Sequence, residues 1–182
     1  MGVPASVNDT IARLSVDVPD FPKPGVVFKD LSGLLADPVA FHDVVTALAA
    51  AGRDVGGRVV VDRVLGVEAR GFIFGAPVAL ALGAGFVPVR KPGKLPRETL
   101  SETYFLEYGE DAVHMHRDAL APGSRVLVVD DVLATGGTLA AVIRLVEKAG
   151  AVVHGIAVVM ELGDLGGRET VGDLPLTSLL TI

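Results

Sequence analysis

Asp130 and Asp131 stand side by side after four apolar residues, Val126 to Val129, and shortly before Ala134-Thr-Gly-Gly-Thr138. The apolar run predicts a buried parallel strand. Behind the loop, Leu139 to Ala149 carries an apolar helix pattern. In open α/β sheets, ligands bind at the carboxyl ends of strands, where a loop feeds a helix. Free N–H groups and the helix dipole favour an anion there. Gly136 and Gly137 let the main chain wrap closely round a phosphate. Ala134 opens that loop, and Thr135 and Thr138 add hydroxyl donors. Carboxylates accept hydrogen bonds from hydroxyls, so two acids ahead of such a loop suit a ligand with both a phosphate and a diol. A ribose 5-phosphate fits. No Gly-Lys-Ser/Thr closes the loop, which excludes a Walker A motif, and no G-x-G-x-x-G follows a strand.

Other residues offer chemistry with less specificity. Glu68-Ala69-Arg70-Gly71 lies between a predicted strand and a predicted helix. It reads either as a second anion loop, with Arg70 forking onto phosphate oxygens, or as an ordinary turn with a surface arginine. Arg90, Lys91 and Lys94 surround a Pro-Gly turn, a basic patch that is either solvated or paired with an anion. Val27, Phe28 and Lys29 follow a Pro-rich loop, Pro19 to Gly25, and suit either plain packing or an apolar slot. Glu107, on a predicted ribbon, is by itself a surface acid. His42, His114, His116 and His154 show no metal-ligand spacing.

The elements that must position these residues follow from pattern. Val7 to Leu14 predicts a helix capped by Ser6 or Asn8, and Asp37-Pro38 starts another that runs to about Ala51. A strand within Arg58 to Val67 is expected to centre on Val59 to Val61. Gly71 to Val89 is uncharged, but its Gly and Pro residues divide it into a helix (Phe72 to Leu82) and a strand (Phe86 to Arg90) rather than a membrane span. Tyr104 to Tyr108 and Val113 to His116 suggest a ribbon, and Val152 to Met160 another core strand. Strands alternating with helices predict an α/β fold with a mostly parallel sheet. The 182 residues suit one domain, spanning 1–182. Net charge −6 without a basic stripe excludes a general nucleic-acid binder, and zero cysteines exclude disulfides and Cys-ligated metals. The start has no basic segment followed by an apolar core, so no signal peptide is expected, and a cytoplasmic location is.

The Asp130–Thr138 segment resembles the phosphoribosyl-pyrophosphate signature of the type I phosphoribosyltransferases. Four further segments resemble the adenine branch, in its order and at about its spacing: Phe21 to Asp30, Glu68 to Phe72, Val89 to Pro96, and Leu106 to Gly109. The resemblance implies the type I fold, with a hood (about 17–32 and about 161–182) and a mobile lid (about 92–103). It implies transfer of the 5-phosphoribosyl group from phosphoribosyl pyrophosphate to adenine, giving AMP and pyrophosphate, in a homodimer. Asp130, Asp131, Ala134, Thr135, Gly136, Gly137 and Thr138 would then bind ribose 5-phosphate. Glu68, Ala69, Arg70, Arg90, Lys91 and Lys94 would bind pyrophosphate, with a cis peptide at Glu68–Ala69. Val27, Phe28 and Lys29 would take adenine; members of the branch often carry Arg where this chain has Lys29. Glu107 would exchange the adenine proton, joining Arg70 as catalytic. Mg²⁺ would arrive with the substrate, meeting Asp130 or Asp131 at most through water. The rival readings are a phosphoribosyltransferase for hypoxanthine, guanine or xanthine, and a non-catalytic sensor on the same fold.

Overall fold

Residues 6–106 and 109–182 are described by a computed structural model. Glu107, the expected proton acceptor, therefore lies outside the described residues. The chain opens with α1 (Val7–Leu14), the hairpin β1 (Val16–Pro19) and β2 (Val27–Asp30), then α2 (Ser32–Ala36) and α3 (Pro38–Ala50). Next come β3 (Arg63–Val67), α4 (Arg70–Leu82) and β4 (Gly85–Val89), followed by the ribbon of β5 (Thr99–Leu106) and β6 (Gly109–His116). The rest is β7 (Arg125–Leu133), α5 (Gly137–Lys148), β8 (Val152–Glu161), a single turn (Gly163–Leu165), α6 (Gly167–Val171) and β9 (Leu176–Thr181).

Local chemistry sets the helix ends. Ser6 Oγ accepts the Asp9 N–H at 3.1 Å while Asp9 accepts the Ser6 N–H at 3.3 Å, a reciprocal cap on α1. Asp37 accepts the N–H groups of Val39 and Ala40, both at 3.0 Å, and Pro38 opens α3.

The five-stranded sheet has the order β4-β3-β7-β8-β9, with every pair parallel. Central β7 is buried on both faces. Val126 and Val128 join a cluster with Leu139, Val142 and Leu145 of α5 and with Val113 and Met115 of the ribbon. Leu127 and Val129 point to the opposite cluster, with Val44 and Leu48 of α3 and Phe74 and Val78 of α4. The period of two along one strand thus builds both halves of the core. Among the described residues, no helix is long and apolar enough to cross a membrane.

Several expected boundaries move. The strand expected around Val59 to Val61 begins instead at Arg63. Val59 forms only an isolated antiparallel bridge with Arg53, because Asp54 closes a turn by accepting the N–H groups of Gly56 and Arg58. Asp130 and Asp131 fall within the end of β7 rather than after it. Residues 99–103, expected in the lid, belong to β5; Leu100 and Tyr104 face inward there, opposite Met115 and Asp111. The C-terminal stretch lies only partly over the sheet edge, since β9 pairs with β8 as the outer strand of the main sheet.

Candidate active site

The site forms where the ends of β3 and β7 meet the starts of α4 and α5. The β7–α5 loop encloses a concavity of about 80 Å³, lined by Asp130, Ala134, Thr135, Gly136, Gly137 and Thr138 among others. Gly136 takes the left-handed conformation, φ 81°, and no side chain caps α5. The first N–H groups of the helix are thereby left to an external acceptor.

The two acids differ. Asp131 is 6% exposed, and its Oδ2 has no hydrogen-bond donor. Arg70 Nε stands 2.5 Å from that oxygen, but no N–H is aligned on it, so the pair is Coulombic. Asp130 Oδ1 accepts the Asp131 N–H at 2.9 Å. Desolvation first, and then the Asp131 charge, push the Asp130 carboxyl well above the ordinary carboxylate range. The half-buried residue keeps some contact with solvent, yet its carboxyl group is largely enclosed by protein atoms.

Arg70 joins three predicted segments. Besides Asp131, it donates from Nη1 to the Lys29 carbonyl at 3.2 Å, and its guanidinium lies 4.5 Å from the Phe28 ring centre. Phe28 also makes an edge contact with Phe21, with centroids 5.1 Å apart. Gly71 is required beside Arg70: a Cβ there would sit 2.8 Å from Asp130 Oδ1. The Glu68–Ala69 peptide is cis, as the resemblance placed it. Lys29, by contrast, is committed to Asp17, with both carboxylate oxygens at 2.8 Å. The stacking cation on Phe28 is Arg70, not the residue at 29.

The basic turn is already paired. Arg90 holds Glu68 through two bonds of 3.1 Å, and the Lys91 N–H reaches the same carboxylate at 2.9 Å. That grip keeps the Glu68 carboxyl below its usual range. The Lys91 ammonium points to the ribbon, donating to Tyr104 Oη at 2.6 Å and to Asp111. Desolvation pulls Lys91 down, but those hydrogen bonds outweigh it and hold the ammonium above its ordinary value. Lys94 meets this cluster through its carbonyl, which accepts from Arg90 at 3.2 Å. Asp111 gave no signal in the sequence, because only the ribbon register, Tyr104 opposite Asp111, aims it at Lys91.

Comparison with known proteins defines the class. The family described as phosphoribosyl transferase domain matches residues 35–172. Within that class, the chain belongs to the adenine phosphoribosyltransferase family. It is 65% identical over 169 residues to the adenine phosphoribosyltransferase of a Nocardioides species, covering 93% of this chain and 91% of the relative. It is 55% identical to that of Thermobifida fusca, covering 97% and 98%. The solved adenine phosphoribosyltransferase of Thermoanaerobacter pseudethanolicus superposes with a TM-score of 0.89 at 48% identity, covering 95% of this chain and 98% of that one. The Saccharomyces cerevisiae enzyme, complexed with an imino-altritol bisphosphate and adenine, does so with a TM-score of 0.90 at 39% identity, covering 96% and 98%.

Proposed function

We propose that this chain transfers the 5-phosphoribosyl group from phosphoribosyl pyrophosphate to adenine, forming AMP and releasing pyrophosphate, as a step of purine salvage in the cytoplasm. The observation that carries the reading is the meeting at Arg70: its guanidinium stands against Asp131, the acid at the end of β7, covers the ring of the hood residue Phe28 and donates to the Lys29 carbonyl. Membership of the family supports it independently.

In this reading the N–H groups of Gly137 and Thr138, with the threonine hydroxyls, hold the 5-phosphate. Asp130 and Asp131 accept from the ribose hydroxyls. Phe28 covers the purine, flanked by the main chain of Val27 and Lys29. The bond from the anomeric carbon to pyrophosphate breaks, the pyrophosphate keeps the electron pair, and adenine N9 bonds to that carbon. Glu107 takes the proton that adenine loses. Arg70 leaves Asp131 for the departing pyrophosphate, and fixing the sugar supplies much of the rate. Arg90 acts through Glu68, tying the basic turn to the Ala69–Arg70 loop, while Lys91 and Lys94 add positive charge.

The donor set fits a hard cation held through substrate. Among the described residues, no group of three or more His, Cys, Asp or Glu side chains could cage a metal. Two adjacent acids remain, one with a buried oxygen lacking a donor. Asp130 and Asp131 would meet the waters of Mg²⁺, which when bound neutralises the charge of the substrate's pyrophosphate. We place the chain in a homodimer whose contact includes the exposed side of α4.

The test offers adenine, hypoxanthine, guanine and orotate separately, with labelled phosphoribosyl pyrophosphate, with and without Mg²⁺. Nucleotide is expected from adenine alone, and only with the metal. Product from a 6-oxo base, or ligand binding without turnover, overturns the reading.

A further inference from the structure

The phosphate loop rests on a wall that its own sequence does not contain. A Cβ on Gly136 would stand 2.6 Å from the Gly167 carbonyl, and a Cβ on Gly167 would stand 2.1 Å from the Ala134 carbonyl. The loop and the first turn of α6 therefore meet main chain to main chain, with no room for any side chain. Val171, at the other end of α6, is buried in the core cluster of α5. A five-residue helix has little stability of its own, so something else must fix its position.

That fixture is an ion pair next to Gly167. Arg168 donates from Nε to Glu161 Oε1 at 2.9 Å and from Nη2 to Oε2 at 2.6 Å, a two-pronged contact. Its Nη1 reaches the Leu176 carbonyl on β9 at 3.3 Å. Glu161 is 6% exposed and ends β8, directly opposite Leu133 of β7. Leu133 immediately precedes the loop, and its carbonyl accepts the Leu162 N–H at 2.9 Å. The pair thus binds α6 to the strand that also anchors the loop. It does so from behind, since neither side chain lines the loop's concavity.

We infer that Glu161 and Arg168 are positioning residues for sugar-phosphate binding: they hold Gly167 against the Ala134–Gly136 main chain and so preset the loop that receives the 5-phosphate. The inference rests on the reading of residues 134–138 as that loop. Pyrophosphate is assigned to the opposite wall, at Arg70 and the Arg90 turn, which the pair does not touch. Losing the pair should therefore loosen one end of the substrate site and not the other.

The experiment measures dissociation constants for AMP, ribose 5-phosphate and inorganic pyrophosphate, each with Mg²⁺, by calorimetry. The proteins compared are the wild type, Arg168→Gln, Arg168→Lys, Glu161→Gln, and Thr135→Ala/Thr138→Ala. Arg168→Gln leaves a buried carboxylate unpaired, so the double variant Glu161→Gln/Arg168→Gln, which removes both charges, covers the case in which the single change does not fold. Arg168→Gln and the double variant should weaken AMP and ribose 5-phosphate about tenfold or more, the scale expected of a small misplacement. Pyrophosphate should stay within about twofold, less than ~0.5 kcal/mol. Arg168→Lys should recover part of the loss. Equal weakening of all three ligands, or none, overturns the inference. If the threonine variant also leaves ribose 5-phosphate binding unchanged, the loop assignment itself has failed; if that variant weakens it while the Arg168 variants do not, only the positioning role has.

Discussion

Asp130 binds a proton more tightly in the folded chain than an ordinary aspartate does, because burial and the Asp131 charge disfavour its ionised form. Between the ordinary aspartate range and the raised value, the unfolded chain has released this proton and the folded chain has not. Stability from this group is therefore full at low pH and falls as pH rises through that interval. Asp130→Asn removes the penalty while its amide oxygen can still accept the Asp131 N–H. Thermal unfolding across a pH series should show the variant melting higher than wild type at neutral pH, the gap closing toward the ordinary aspartate range. A gap that widens on acidification would refute the burial argument. Arg70 offers a second measurement. Arg70→Lys keeps a cation near Asp131 but loses the planar stack on Phe28 and the Nη1–H bond to the Lys29 carbonyl. The loss should amount to about 1–2 kcal/mol, roughly tenfold in pyrophosphate affinity. Titration with pyrophosphate checks it, and unchanged affinity would remove Arg70 from that role.

At the scale of elements, the loop before α5 depends on one left-handed glycine. Gly136→Ala puts an L-residue at φ 81° and a methyl group 2.6 Å from the Gly167 carbonyl. The conformation alone costs about 1–2 kcal/mol, and the contact adds to it. Lower melting temperature together with weaker AMP binding is expected; a stable variant that binds AMP normally would mean that the loop relaxes without α6. This element also marks what the sequence made legible. The strand from Val126 to Val129, the acids and the glycine turn are local in the chain, and their periodicity declares them. The shift of the preceding strand to Arg63 was hidden, because a valine run at 59–61 outweighed the Asp54 turn in pattern. The β5 extension was hidden because Ser101, Glu102 and Thr103 read as loop, while the strand needs only Leu100 and Tyr104 inside. The α6 wall and the Lys91–Asp111 contact arise from segments far apart in sequence, and the residue types alone do not announce them.

For the whole molecule, the proposed second subunit bears on the site through α4. The helix buries Phe74, Val78, Ala79 and Leu82, while Ile73 is 42% exposed and Leu80 83% exposed. Ile73 and Leu80 are seven residues apart, two helical turns, and half-buried Pro77 lies between them on the same side. An apolar stripe of this kind gains about 1.5–3 kcal/mol for each large side chain removed from water. The same helix begins at Arg70, so a subunit packed along it would stand beside the pyrophosphate wall. Leu80→Glu places a charge at the most exposed end of the stripe without touching the core. Light scattering coupled to size exclusion should find the wild type as a dimer and the variant as a monomer of about half the mass, with near-wild-type circular dichroism. If the basic turn of one subunit serves the other's site, the monomer should also lose turnover at saturating adenine. Its AMP affinity, set by the β7–α5 loop within one chain, should hold. A dimeric Leu80→Glu would move the contact off α4, and a monomer with full turnover would confine the whole reaction to a single chain.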